Sequence, residues 1–240
     1  MPEEFFLPFV KKEQVAKDAF AFYFDRSKQA FDFIAGQYIR ITLPHQNPDE
    51  RGITRLFSIV SPPYDKQNLI ITTRIIQSSF KKTLYNVTPD TQVKFFGPMG
   101  VFVLKEEEHN PRVFLAGGIG ITPFHSMLLY ANEKKLQFPI TFFASFSTPE
   151  DVIFQQELES IAKQNPNIKV IYTVSHPENS SWQGEKGRIS EELIKKYVQN
   201  MSEPTYYIAG PPAMVLAMEE LVKGMGVAQE QIKKEQFVGY

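Results

Sequence analysis

Two domains of different class are predicted along this chain, an antiparallel β-barrel or sandwich over residues 1–106 and an α/β domain with a parallel sheet over residues 111–240. Three observations lead there. Up to about residue 105 the chain carries short apolar runs split by turn residues. A polar segment ending in proline, Glu106-Glu107-Glu108-His109-Asn110-Pro111, then interrupts and reads as a linker. Beyond it, strand-length apolar runs alternate with helix-length segments, the order that crossover helices impose on a parallel sheet. At 240 residues both halves can bury a core without covalent staples.

The first half is expected to hold strands at 20–24, 38–43, 56–60, 69–76 and 93–96. Ile39, Ile41 and Leu43 alternate with Arg40 and Thr42, the period of a half-buried strand. Turns fall at Asp32, Ala35-Gly36, residues 44–52, Pro62-Pro63 and Pro89-Asp90. One short helix, 79–86, interrupts, with Ser78 or Ser79 as its N-cap. In the second half strands are expected at 113–116, 140–145, 168–174 and 206–209, and helices at 123–135, 151–163, 190–199 and 213–224. Thr148-Pro149-Glu150-Asp151 offers a cap, a helix-start proline and early acidic residues for the helix at 151.

Composition excludes several classes. Net charge is −1, and Lys81-Lys82 and Lys233-Lys234 are pairs rather than patches, so no nucleic acid or anionic membrane is expected as partner. The chain has no cysteine, which rules out disulfides and Cys-ligated zinc or iron–sulfur clusters. Its 4 histidines, His45, His109, His125 and His176, lack ligand spacing; they read as surface or loop residues, and no metal site is expected. The start lacks the cationic region of a secretory signal, and no apolar stretch reaches the roughly 18–20 residues of a membrane span. A soluble cytoplasmic protein without membrane insertion is expected.

Two segments carry chemistry. Arg55-Leu56-Phe57-Ser58 puts a cation, a ring and a hydroxyl on one short extended stretch, suited to a planar anionic cofactor. Arg55 and Phe57 should share one face of the strand, Leu56 and Ser58 the other. Gly117-Gly118-Ile119-Gly120-Ile121-Thr122-Pro123 follows a strand and opens a helix. Glycines let backbone approach a phosphate, and the helix start adds partial positive charge. This string is neither the G-x-G-x-x-G fingerprint nor a Walker loop. Gln77-Ser78-Ser79 precedes the short helix, a second place for a phosphate that is equally readable as plain capping.

Taken in order, Phe33-Ile34-Ala35-Gly36-Gln37-Tyr38, Arg55-Leu56-Phe57-Ser58, Gln77-Ser78-Ser79, Gly97-Pro98-Met99-Gly100, Gly117 to Pro123 and Ala209-Gly210-Pro211-Pro212 resemble the ferredoxin–NADP reductase superfamily. The resemblance spans nearly the whole chain. It implies an antiparallel Greek-key β-barrel that binds FAD, followed by an NAD(P)-binding α/β domain. It also implies hydride transfer from NAD(P)H to FAD, with electrons passed to a ferredoxin, a flavodoxin or another acceptor, protein or small molecule. A rival reading is a flavin- and nucleotide-binding regulatory or assembly subunit without catalysis.

Residue roles follow from the same resemblance. Arg55 would meet the flavin pyrophosphate, Phe57 would pack on the ring or its ribityl chain, and Ser58 would point at flavin N5. Leu56 belongs to the same stretch. Gln77, Ser78 and Ser79 would hold phosphate, and two separated phosphate elements favour FAD over FMN. Gly117, Gly118, Gly120 and Thr122 would form the nucleotide loop, with Thr122 capping the helix. Gly210, Pro211 and Pro212 would flank the nicotinamide, with Ala209 standing where many relatives carry cysteine. Phe237, or alternatively Tyr240, would cover the flavin ring and move aside for nicotinamide. Ser147 stands where NADP-using members often have arginine, which favours NADH unless Lys169 or Arg188 substitutes.

Overall fold

The computed structural model describes residues 2–75, 78–178 and 180–238. Its first half holds six antiparallel strands, β1 (Glu3–Ala16), β2 (Ala19–Asp25), β3 (Tyr38–Thr42), β4 (Thr54–Ser58), β5 (Asn68–Arg74) and β6 (Gln92–Met99), with helix α1 (Ser79–Tyr85) before the last. They pair in the order β4-β3-β6-β1-β2-β5, a Greek-key arrangement in which β6 returns to lie between β3 and β1. Just past β4, Val60 N donates to Ile70 O across 2.8 Å, which draws the edge strands together and curls the sheet into a barrel. Phenylalanines fill it: Phe24 meets Phe95 edge-on at 4.9 Å, and Phe5 stacks on Phe95 at 5.7 Å.

Strand β1 departs from the sequence reading, which placed no strand before residue 20. Pro8 and the polar stretch Lys11 to Gln14 hide it. Residues 3–8 pair with β6 and residues 9–16 with β2, so Pro8 stands where one ladder ends and the next begins. A residue without an N–H is tolerated at such a hand-over.

The second half is a parallel sheet built from β7 (Arg112–Gly117), β8 (Ile140–Phe146), β9 (Ile168–Val174), β10 (Glu185–Lys186), β11 (Thr205–Gly210) and β12 (Ile232–Gln236). The order is β10-β9-β8-β7-β11-β12. Helices α2 (Ile121–Glu133), α3 (Gln155–Gln164), α4 (Glu191–Tyr197) and α5 (Pro212–Gly224) cross over its faces. In β7, Phe114 and Ala116 pack with Phe124 and Phe142 on one side, while Val113 and Leu115 pack with Val215 and Val222 on the other. Burial on both faces makes such a strand a continuous apolar run rather than an alternating one. The short β10 and the polar edge strand β12 lack that pattern, and the sequence reading missed both.

Three local expectations are corrected. Thr148 and Asp151 form their reciprocal cap around a single 3₁₀ turn, Pro149–Asp151, and α3 starts only at Gln155. Between them Phe154 is left-handed (φ 60°), which breaks the helix, and its ring lies on His125 with centroids 4.1 Å apart. His125 is accordingly no surface residue: it is buried, with Nδ1 3.0 Å from Val60 O and Nε2 2.8 Å from Glu157. The segment before Pro111 is pinned rather than loose, because fully buried Arg112 donates to Glu108 O at 2.7 Å and to the Asn110 side chain at 2.6 Å.

The halves meet in a packed interface. Tyr207 Oη donates to Val103 O at 3.2 Å, Ser126 Oγ to Ser61 O at 2.9 Å, and Arg74 pairs with Asp151 at 2.8 Å. Phe102 of the first half packs edge-on against Phe124 and Tyr207 of the second. Among the described residues no helix is long and apolar enough to cross a membrane.

Candidate functional site

A cavity of about 410 Å³ opens where the barrel meets the parallel sheet. That volume suits a small ligand or part of a larger one. Arg55, Leu56, Phe57 and Ser58 line it from β4, Thr122 from α2, and Phe237 from the tail that follows β12. Strand alternation holds over the first three: Arg55 and Phe57 turn inward and are buried, while Leu56 is 50% exposed. Ser58 shares the face of Leu56 yet is buried, at the strand end where Ile119 and Thr122 of the second half line the same cavity. The Phe57 ring also packs toward the barrel core, 6.0 Å from Phe80.

Charge is concentrated on the barrel side. Arg55 Nη2 pairs with both oxygens of Asp49, at 2.5 and 2.7 Å, and Nη1 donates to the carbonyls of Arg51, Gly52 and Thr54. The Arg55 hydrogen bond holds the Asp49 carboxyl below the usual carboxylate range. Asp49 also gathers the two serines. Ser78 Oγ donates to its carboxylate at 3.5 Å, and the Asp49 N–H donates to Ser79 Oγ at 3.1 Å. Ser78 is the N-cap of α1, accepting from Lys81 N. Ser78 and Ser79 thus stand beside Arg55 without lining the cavity. Gln77 and Tyr240 lie outside the described residues.

Sequence reasoning missed three ionisable residues that line this cavity: Arg51, Lys81 and Glu235. Lys81 read only as half of a lysine pair, yet it is 1% exposed on the buried face of α1, beside Phe80 and Leu84. Burial first, then the cations Arg51, Arg55 and Arg74, pull its ammonium down to about 8. Burial pushes the Glu235 carboxyl up to about 7. Glu235 stands two places before Phe237 in the sequence, but only the tertiary fold brings it inside.

The glycine loop and Gly210-Pro211-Pro212 meet at the C-terminal edge of the sheet, where open α/β sheets take their ligands. Gly117 closes β7, Gly118 to Gly120 make a 3₁₀ turn, and Pro212 opens α5. A Cβ on Gly120 would lie 2.2 Å from Ala209 O, so this glycine lets the two loops pack together, whereas Gly118 (φ +53°) has open space beside it. Thr122 does not cap α2. Gly120 holds that position, and Thr122 Oγ1 donates back to Ile119 O at 2.9 Å. Phe237 N donates to Gly210 O at 2.9 Å, which anchors the tail beside the Gly-Pro-Pro turn.

This division of labour has counterparts. The oxidoreductase FAD-binding domain model matches residues 7–104, and the oxidoreductase NAD-binding domain model matches residues 114–220. The chain belongs to the ferredoxin–NADP reductase superfamily. Among superfamily relatives, a subunit of the Na(+)-translocating NADH-quinone reductase of Methylococcus capsulatus is 28% identical over 202 residues, covering 80% of this chain and 47% of its own. The Bacillus subtilis flavohemoprotein is 28% identical over 238 residues, covering 96% of this chain and 59% of its own. The chain therefore spans about half the length of these relatives. A ferredoxin NADP+ reductase from Neisseria gonorrhoeae, solved with bound FAD and NADP, shares the fold at a TM-score of 0.82 and 20% identity, covering 97% of this chain and 98% of its own.

The residues present fit a flavin. Arg55 Nε is buried and has no hydrogen-bond partner among the described residues, so the guanidinium keeps a donor for a ligand oxygen. Aromatic Phe57 and Phe237, the Ser58 hydroxyl and the Lys81 ammonium line the same space, a donor set suited to a planar ring that carries phosphate.

Proposed function

We propose that this chain is an NAD(P)H-dependent, FAD-containing reductase that passes electrons to a ferredoxin, a flavodoxin or another acceptor. Residues 1–106 form its FAD-binding domain and residues 111–240 its NAD(P)-binding domain. One observation carries the reading. Arg55, Phe57 and Ser58 from β4, Thr122 from α2 and Phe237 from the tail line a single cavity, beside the glycine turns at the sheet's C-terminal edge. The reductase names of relatives support the reaction class.

A bound flavin supplies the chemistry there, accepting a hydride and releasing electrons singly or as a pair. The protein binds, orients and excludes water. Arg55 anchors phosphate, Phe57 supports the ring system, and Ser58 sets a hydroxyl beside the position that receives the hydride. Gly117, Gly118 and Gly120 leave room for the nucleotide phosphates at the start of α2. Gly210, Pro211 and Pro212 border the nicotinamide, and Phe237 holds its place until that ring arrives. Glu235, whose carboxyl is pushed by burial up to about 7, can hold or give up a proton inside the cavity. Purified protein should be yellow, release FAD on denaturation and reduce ferricyanide with NADH. A colourless protein that takes up no FAD overturns the reading. A flavin-loaded protein that leaves NADH and NADPH untouched favours the non-catalytic subunit instead.

A further inference from the structure

Two consecutive residues of α2 grip two consecutive carbonyls of the barrel. His125 Nδ1 lies 3.0 Å from Val60 O, and Ser126 Oγ donates to Ser61 O at 2.9 Å. Val60 stands just past Ser58, and its own N–H is tied to Ile70 O at 2.8 Å. Thr122, one helical turn before His125 and Ser126, lines the cavity together with Ser58. Residues three and four apart share a helix face. One face of α2 therefore carries both a wall of the cavity and the grip on the chain leaving β4.

The same contacts fix the protonation of His125. Its ring is buried, and its other nitrogen, Nε2, lies 2.8 Å from Glu157 on α3. The His125 hydrogen bond holds the Glu157 carboxyl below the usual carboxylate range, so it is ionised. A carbonyl and a carboxylate only accept, so both ring nitrogens must donate, which a neutral imidazole cannot do. A ring with a single proton gives it to the carboxylate, because charge-assisted bonds are the stronger. Nδ1 then turns a lone pair on Val60 O across the boundary between the halves.

We propose that His125 is a positioning residue for hydride transfer, whose doubly protonated ring clamps Val60 O and so sets the distance between β4 and the glycine turn before α2. The inference rests on the reading of the chain as an NAD(P)H-dependent FAD reductase. Hydride transfer needs its reacting atoms about 3–3.5 Å apart, and on that reading the two halves carry one each. The titratable groups that face His125 are Tyr23 on β2, Tyr64, Asp65 and Lys66 in the segment after β4, and Glu157. Burial pushes both tyrosines up, with Glu13 on β1 and Glu133 on α2 adding to it, and Lys66 pairs with Asp32 at 2.9 Å.

The test measures flavin reduction by saturating NADH in the FAD-loaded protein. Asn places its amide nitrogen where imidazole has Nδ1, and Gln places it where imidazole has Nε2. His125→Asn should retain most of the limiting rate. His125→Gln should lose roughly five- to tenfold, the value of one hydrogen bond, with FAD still bound. In Glu157→Gln the new amide donates to Nε2, so a neutral ring still serves Val60 O. The fall in rate that wild type shows as pH rises should therefore shrink in Glu157→Gln, a comparison that cancels Glu235. Ring nitrogen NMR of wild type at about pH 7 should show His125, assigned by its response to Glu157→Gln, with both nitrogens protonated. Equal rates in the Asn and Gln variants, matching pH profiles in wild type and Glu157→Gln, or a singly protonated ring would each overturn the proposal. Should the His125 variants fail to fold, the pH profiles and the ring spectrum decide alone, since the Glu157 side chain is 52% exposed. FAD-loaded protein that neither nucleotide reduces defeats the reductase reading and the proposal with it, a distinct outcome.

Discussion

At the scale of single residues, Ser58 and Glu235 make separable contributions. A hydroxyl that stabilises the transition state more than the ground state changes the chemical step and not cofactor retention. Ser58→Ala should therefore slow single-turnover flavin reduction by about tenfold, the value of one hydrogen bond, with FAD still bound. An unchanged rate removes Ser58 from the mechanism. Glu235 has a pH consequence with a definite sign. Its folded value near 7 lies above the ordinary 4.5, so the fold prefers the neutral carboxyl. The contribution is fully present below pH 4.5 and is lost as pH rises through 7. Urea midpoints of the apoprotein should fall across that window, and Glu235→Gln should flatten this part of the profile. Equal slopes in the two proteins would show that another group is responsible.

At the scale of elements, the proposed function assigns nucleotide traffic to the tail and the strand ends. Strand β12 ends at Gln236, so deleting residues 237–240 removes Phe237 and its hydrogen bond to Gly210 O while keeping the residues of β12 that pair with β11. An aromatic contact is worth roughly 0.5–1.5 kcal/mol beyond area burial, which a nicotinamide ring can match. The truncated protein should bind NAD⁺ several-fold more tightly, with a charge-transfer band and brighter flavin fluorescence. A folded truncation with neither change makes Phe237 a packing residue only. On the proposed reading, nucleotide choice would sit at the ends of β8 and β9. Ser147 follows β8 directly, and Lys169 pairs with Thr141 near the opposite end of the sheet, too far along β9 to serve in its place. Arg188 lies just past β10, after Gly187, whose N–H donates to Val174 O at 2.8 Å, and is the one of the two cations at the ligand end. Without a cation at Ser147, NADH should exceed NADPH in kcat/KM by about tenfold or more. Arg188→Gln should reduce what NADPH activity remains, and a clear advantage for NADPH in wild type would reverse the assignment.

At the scale of the whole molecule, the cavity draws its walls from both halves, and the halves are joined by Tyr207 to Val103, Ser126 to Ser61 and Arg74 to Asp151. A ligand bound there stabilises both. FAD at one hundred times its Kd should add about 2.7 kcal/mol to the unfolding free energy. Scanning calorimetry should then show one transition moving upward as a unit. Two transitions, of which only one responds to FAD, would mean that the interface does not couple the halves.

The sequence by itself determined the two architectures, the parallel strands of the second half and the motifs Arg55 to Ser58 and Gly117 to Pro123, because each is written in residues near one another along the chain. Hydrophobic period, glycine turns and caps are local properties and can be read locally. Strand β1 escaped because Pro8 masks a strand that changes partner at that point, and β12 escaped because an edge strand need not be apolar. Only tertiary structure decided that Lys81 and Glu235 enter the cavity, that Asp49 occupies the fork of Arg55, that Gly120 serves the approach to Ala209, and that Thr122 turns back to Ile119 instead of capping. Lys81 looks like any surface lysine, and Glu235 like any carboxylate near a chain end. What makes them unusual is burial beside groups far away in sequence, which no local pattern encodes.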